Sequence, residues 1–403
     1  MACGAQSPLR DCETMAVSRR RILLIGGDGG YSGVPRYLLQ MVKALRDKAD
    51  LTVLSDVNEG GFDVLRGSGA RHLTVQGLRT TGSPMKAVRA LLALRAILRS
   101  GQYDLIWAHS RMAVLLLRLL LLGSGFHGRF AVTHHSLPFE AGYPQPYATL
   151  LCGWEALMIR WVEPHHIFFL TEAARRHYCK VMPPKALRRH HLHVLSSCSD
   201  LDPLPPQNPP SDGLRILVMT GRVCHQKNLT AALRLFAHLP DNYRLVLCGA
   251  GTDRPGFRAE VDRILEPGQQ VRVDLRGPLA DVRPVLAQAA GYLLTSRYEG
   301  LPIGALEAWE AGLPLALSRI DGTDDILGRH PLALPLDLSE PGQDMAAQAR
   351  ALDQLISRYL SDQAVWRAHI QQEWSANHSH AQWSGRLSAA VSGILAKSGA
   401  SGV

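Results

Sequence analysis

Ser296-Arg297-Tyr298-Glu299-Gly300-Leu301-Pro302-Ile303-Gly304-Ala305-Leu306-Glu307-Ala308-Trp309-Glu310-Ala311-Gly312 decides the fold. An apolar run, Gly291-Tyr292-Leu293-Leu294-Thr295, leads into it and reads as a buried strand. Gly300, Pro302 and Gly304 punctuate a tight loop. From Ala305 to Ala311 the residues favour helix, and Gly312 stands where a helix end wants positive φ. Leu313 to Ser318 restarts a strand. Strand, glycine loop, helix and strand in that order leave backbone N–H groups free at the loop and helix start, a natural anion site. Glu299 and Glu307 bracket it. A carboxylate accepts paired hydrogen bonds from vicinal hydroxyls, so a nucleotide-sugar diphosphate held by the loop would present its sugar to Glu299 and its ribose to Glu307. Taken alone, two glutamates beside a βα turn are more often solvated charges.

The stretch resembles the E-x7-E signature of the retaining GT-B glycosyltransferases, family 4 in particular. Ser296, Tyr298, Glu299, Gly300, Glu307, Ala308, Gly312 and Pro314 fall on that pattern, while Leu301-Pro302-Ile303-Gly304 replaces the usual Phe-Gly-Leu-Pro and Trp309 the usual Met. The resemblance implies an α/β fold with two Rossmann-like domains, their parallel sheets facing across a cleft.

The second half carries further matches. Leu214 to Met219 is a strand followed by Thr220-Gly221-Arg222-Val223-Cys224-His225-Gln226-Lys227-Asn228, where Arg222 and Lys227 take the places of the family's basic pair. Two fixed cations suit the charge that grows on a departing nucleoside diphosphate. Asn228 replaces a usual Gly. Arg244 to Gly251 and Val271 to Gly277 read as two more strands with glycine turns. The resemblance makes Arg222, Lys227, Glu299 and His135 catalytic, and Gly33, Gly221, Arg276, Gly300, Leu301, Pro302, Ile303 and Glu307 donor-binding.

In the first half, Ile22-Leu23-Leu24-Ile25 runs into the loop Gly26 to Gly33, then a helix from Val34 to Lys48 and a strand Leu51 to Leu54. This is a βαβ unit. Ser32-Gly33-Val34-Pro35-Arg36 partly matches the family's G-G-x-E-R, which implies a backbone approach to the donor from across the cleft. Strands ending in His109-Ser110 and His134-His135-Ser136 put polar side chains at the carboxyl edge of the sheet, where open α/β sheets bind ligands. Thr133-His134-His135-Ser136-Leu137-Pro138 resembles the family's T-x-H-G-L-P, which aligns His135 with the histidine contacting the donor sugar.

The organisation expected is a flexible tail at 1–20, an acceptor domain at 21–202, a proline-rich linker at 203–213, a donor domain at 214–375, and a last helix at 376–403 crossing back. Asp344 to Lys397 reads as helical with Trp366, Trp374 and Trp383 as anchors.

Bulk properties narrow the partners. A formal net charge of +9 favours phosphorylated substrates or anionic lipid over nucleic acid, for which no motif is present. Seven scattered cysteines form no CxxC pair, and the His190-His191-Leu192-His193 run has no second ligand cluster, so neither a disulfide framework nor a metal is expected. No apolar h-region precedes a cleavage site, and the run Ala113 to Gly123 is too short to span a bilayer. The basic helix Lys86 to Arg99, the leucine run Ala113 to Leu122 and the aromatic stretch Tyr143 to Trp161 suggest a cytoplasmic enzyme peripheral to the inner face of the plasma membrane. The expected reaction is transfer of a sugar from a nucleotide-sugar to a glycan or lipid-linked hydroxyl acceptor with retention, without a cofactor. The alternatives are an epimerase or hydrolase of the same fold and a non-catalytic scaffold that binds sugar nucleotides.

Overall fold

A computed structural model describes residues 19–79, 83–122, 129–206, 213–338 and 343–396. Nearly all of the expected tail at 1–20, most of the linker at 203–213 and the end from 397 lie outside the described residues.

Two parallel sheets carry the chain. The first contains β1 (Arg20–Ile25), β2 (Ala49–Ser55), β3 (Arg71–Thr74), β4 (Leu105–Ala108), β5 (Arg129–His134), β6 (His166–Phe169) and β7 (His191–Val194). Its spatial order is β3-β2-β1-β4-β5-β6-β7. The second contains β8 (Arg215–Thr220), β9 (Tyr243–Cys248), β10 (Val273–Gly277), β11 (Gly291–Leu294), β12 (Leu315–Ser318) and β13 (Ala333–Leu336), ordered β10-β9-β8-β11-β12-β13. Central strands such as Leu105-Ile106-Trp107-Ala108 are buried throughout, because helices cover both faces of a parallel sheet. The strand order reverses between β1 and β4 and again between β8 and β11. Each reversal leaves a crevice at the carboxyl ends of the strands.

The helix Ile303–Glu310 begins two residues earlier than the sequence suggests, with Pro302 as its N-cap. It ends as expected. Gly312 has φ +76, Gly312 N–H donates to Trp309 O at 2.9 Å, and Leu313 N–H donates to Ala308 O at 3.0 Å. That pair of bonds is a Schellman cap.

The helices Met345–Ser361 and Gln363–His378 stay with the second sheet, where Trp309 Nε1 donates to Ile370 O at 2.9 Å. The chain then breaks at Ser379, and the helix His380–Ala396 packs on the helix Gly33–Leu45 of the first sheet. Trp383 is buried there, its ring 5.3 Å from that of Tyr37. Of the other two tryptophan anchors, Trp366 and Trp374 are only half-buried.

On the opposite face of the first sheet lie the helices Pro84–Ser100, Arg111–Leu121 and Tyr147–Trp161, which share one core. The leucine run corrects the sequence reading. Ala113, Val114, Leu116, Leu117 and Leu121 are buried, so this helix fills the core and presents little apolar surface. Arg118 is buried with it, paired to Glu155 at 2.5 Å.

Candidate active site

Loops from both sheets meet between the two carboxyl edges. The loop after β8 is shaped first. Gly249 lies so close that a Cβ there would sit 2.2 Å from Gly221 O, and a Cβ on Gly221 would sit 3.0 Å from the Lys227 stem. Asn228 then takes φ 50 and ψ 48, the left-handed region that glycine adopts most freely. Asn is the side chain that tolerates this conformation best. Its carbonyl accepts from Thr295 Oγ1 at 3.0 Å, which ties the β8 loop to the end of β11.

That tie presents Lys227 to Glu299. Lys227 Nζ lies 2.5 Å from Glu299 Oε1, which also accepts from Ser296 Oγ at 2.7 Å. Gln226 Nε2 reaches the other oxygen at 3.3 Å and Tyr298 O at 3.1 Å. Glu299 is thus a buried carboxylate whose orientation is fixed from three sides. Lys227 spends one of its three N–H donors on it and keeps two for an anion. Arg222, five residues earlier on the same loop, is exposed and makes no side-chain hydrogen bond or ion pair with the described residues. It is free to reach a phosphate.

Glu307 sits on the second turn of the helix, almost fully buried. Its Oε1 pairs with the Arg36 guanidinium, which comes from the helix Gly33–Leu45 across the cleft. Its Oε2 has no partner among the described residues. Burial pushes its pKa up, and Arg36 opposes that shift. Both residues line a cavity of about 170 Å³ together with Gln40, Asp200, Asp281 and Ile303. In the sequence Arg36 stands only within the Ser32-Gly33-Val34-Pro35-Arg36 loop pattern. A partner 271 positions away leaves no local signal.

The helix start carries no side-chain cap, which leaves its first N–H groups open to an anion. Gly304 is required there, since a Cβ would lie 2.1 Å from Thr220 Oγ1 and 2.4 Å from Tyr292 OH. Leu301 and Pro302 are buried in the loop, and a Cβ on Gly33 would face Ile303 Cδ1 at 3.9 Å from the opposite wall.

His135 follows β5. Its ring lies edge-on to Tyr37 at 4.8 Å, and its Nε2 is 3.5 Å from His109 Nδ1. Burial first, and the neighbouring His134 second, push its pKa down to about 3. It is therefore a neutral hydrogen-bonding group at ordinary pH. His109 is buried against Trp107, its ring 5.4 Å away. The His135 carbonyl meets the signature loop, because a Cβ on Gly300 would lie 1.6 Å from His135 O.

Arg276 stands apart. It lies near the end of the edge strand β10, exposed, and its Nε is 2.7 Å from Asp274 Oδ2. Among the described residues it makes no hydrogen bond or ion pair with Glu299 or Glu307. Among the described residues no group of three His, Cys, Asp or Glu could hold a metal ion.

The crevice thus holds an uncapped helix start, a lysine-held glutamate and a second glutamate eight residues on. Residues 215–358 match the model for glycosyl transferases group 1, and residues 31–213 match that for glycosyltransferase family 4. The chain belongs to this glycosyltransferase family. The transferase is 24% identical to the UDP-Gal:alpha-D-GlcNAc-diphosphoundecaprenol alpha-1,3-galactosyltransferase of Escherichia coli, over 82% of this chain and 87% of that one. It is 28% identical to a lipopolysaccharide core biosynthesis glycosyltransferase of Rhizobium meliloti, over 37% of this chain and 41% of that one. Among solved structures, the HepE protein of Anabaena in complex with UDP and glucose superposes with a TM-score of 0.73 at 15% identity, covering 93% of this chain and all (100%) of that one. Sucrose-phosphate synthase from Thermosynechococcus elongatus gives a TM-score of 0.75 at 17% identity, over 94% of this chain and 100% of that one. These two likenesses establish the fold, two Rossmann-like domains in the GT-B arrangement.

Proposed function

We propose that this transferase moves a sugar from a UDP-sugar to a hydroxyl of a lipid-linked glycan, with retention, at an anionic membrane surface. The observation that carries the transfer reading is the Lys227–Glu299 pair beside the uncapped helix start. As the bond between the anomeric carbon and the diphosphate breaks, its electron pair leaves with the phosphate, and the acceptor oxygen forms the new bond while its proton passes to a departing phosphate oxygen. Lys227, Arg222 and the first helix N–H groups are the donors near the growing charge. Glu299 would hold hydroxyls of the sugar in flight, and the open oxygen of Glu307 a ribose hydroxyl. Epimerase and scaffold readings find no support among relatives that are themselves transferases.

The membrane part rests on one face of the first sheet. The helices Pro84–Ser100, Arg111–Leu121 and Tyr147–Trp161 contain a single acidic residue, Glu155, and it is buried. Lys86, Arg89, Arg95, Arg99, Arg111 and Arg160 are all exposed. Between them stand exposed apolar side chains, Met85, Val88 and Leu92 on one helix and Tyr147, Leu150 and Trp161 on another, the last 66% exposed. Each lysine or arginine near an anionic leaflet contributes on the order of 1 kcal/mol. No helix among the described residues is long and apolar enough to cross a membrane.

Two measurements test the proposal. Purified protein with UDP-galactose and an α-D-GlcNAc-diphospholipid should release UDP and form a disaccharide lipid whose anomeric proton coupling by NMR is that of the donor. Failure with this pair and with UDP-glucose would remove the UDP-sugar assignment. The protein should also co-sediment with phosphatidylglycerol vesicles at low salt and release as salt rises. Reversing charge at Arg89, Arg95 and Arg99 should abolish this, and protein that stays in the supernatant at low salt would remove the membrane claim.

A further inference from the structure

The loop between β5 and the helix Tyr147–Trp161 spans residues 135–146 and lies across the cleft on the signature loop. Three contacts fix it there. Gly300 abuts the His135 carbonyl, Gly142 at φ +84 approaches the Arg297 carbonyl so closely that a Cβ would be 2.7 Å from it, and the rings of Tyr143 and Tyr298 are 4.8 Å apart. Arg111 caps this seat by bonding the Tyr143 hydroxyl.

Beneath the loop lies a carboxyl group that the reaction as described leaves unused. Glu140 is 6% exposed. Its Oε1 accepts from Leu137 N–H at 3.0 Å, while its Oε2 makes no hydrogen bond with the described residues. The charged groups facing it are Glu299 from the loop after β11, Asp321 from the loop after β12, and Arg111 from the helix Arg111–Leu121. It does not line the cavity that holds Arg36 and Glu307.

Glu307 lines the cavity with Arg36, whereas Glu299 and Glu140 lie outside that lining. Glu140, on the loop from the first sheet seated against the signature loop, is close enough to Glu299 to feel its charge. A group attacking a sugar held at Glu299 from the side of the first sheet would meet Glu140. We propose that Glu140 is an acceptor-binding, specificity-determining residue whose carboxyl hydrogen-bonds a hydroxyl of the incoming glycan. This inference rests on the transferase reading above.

Burial, reinforced by Asp321 and Glu299, holds the Glu140 pKa up at about 8, against the opposing pull of the Leu137 N–H and Arg111. The group is thus a protonated acid at neutral pH, able to donate to one oxygen and accept at another. Ionised, it becomes one more negative charge beside Glu299. Acceptor use should therefore fall as pH rises through about 8.

The experiment measures UDP release from UDP-galactose by the full chain from pH 6 to 9, with and without an α-D-GlcNAc-diphospholipid. Release without acceptor reports hydrolysis, which needs only the donor site. Glu140→Ala should lower kcat/KM for the acceptor roughly 10- to 100-fold, as loss of a hydrogen bond to a buried group does. It should leave hydrolysis and UDP affinity unchanged. Glu140→Gln keeps the bond to Leu137 N–H and stands in for the protonated acid. It should restore most of the transfer and abolish the alkaline decline. A Gln variant with the alkaline decline of the wild type, or an Ala variant in which hydrolysis falls as much as transfer, overturns the proposal and leaves the transferase reading intact. Wild-type protein that releases no UDP under either condition overturns both.

Discussion

The meeting of Gly300 with the His135 carbonyl sets a sharp test of how the two halves cooperate. In Gly300→Ala the new Cβ would lie 1.6 Å from a backbone oxygen, where ordinary contact begins at about 3.4 Å. The deficit is about 1.8 Å, and neither partner is a side chain that can swing away. The φ of Gly300 is outside the left-handed region, so alanine meets no backbone penalty of its own. Relief therefore requires the cleft to stay open by an ångström or more at this point. A misplacement of about 1 Å in a reacting site costs roughly 100-fold in rate, equivalent to about 2.7 kcal/mol of barrier. The donor pocket belongs mainly to the second sheet, and the clash is between halves. UDP affinity by titration calorimetry and the melting temperature should therefore change little while kcat drops about 100-fold or more. A kcat within about threefold of wild type would show that catalysis does not use this closed arrangement.

Other variants test single contacts. Lys227→Ala or Arg222→Ala should cut turnover roughly 100-fold while UDP binding weakens far less, as expected for donors that act on developing charge; near-normal turnover in steady-state assays of both would remove that role. Glu307→Ala should raise the donor KM, and Glu307→Gln should recover part of the affinity; unchanged UDP titrations in the alanine variant would reject ribose binding. For stability, Glu140 has a folded pKa raised to about 8, so its contribution is present below its unfolded value and is lost as pH rises through 8. Glu140→Gln should then raise the melting temperature more at pH 8.5 than at pH 5, and an equal shift at both would show that the acid is not held protonated.

Much of the fold was legible because buried parallel strands are apolar runs and their loops are glycine-rich. β1, β4, β8 and β11 could all be read in this way. The edge strand β3, Arg71-His72-Leu73-Thr74, carries no such run, and in the late strand β13 the apolar run Ala333-Leu334-Pro335-Leu336 is interrupted by a proline that argues against a strand. β7 was seen only as a cluster of histidines, although pairing to β6 is what gives it structure. Within the site, Lys227, Glu299 and Glu307 were visible because their spacing is local. Arg36, Gln226 and Glu140 were not, since their roles depend on which loop lies opposite. Arg276 pairs locally, its Nε on Asp274 two residues away. Exposure likewise separated the leucine run at Ala113 to Leu122, which is core, from the basic helix beside it, which is surface.

The return of the last helix to the first sheet has a consequence for how the polypeptide is made. Tyr37, Leu38, Met41, Val42 and Leu45 share a core with Trp383, Leu387, Val391 and Ile394. The first sheet is complete in sequence at Val194, yet its cover arrives only from His380 onward. At roughly 5–20 residues per second, the whole second half occupies the ribosome for about 10–40 s in between. We expect the nascent first half to wait that long with an apolar flank open to chaperones. Translation products stalled at Ser379 should bind a hydrophobic dye that full-length chains do not, and equal binding by both would show that the flank is covered from within.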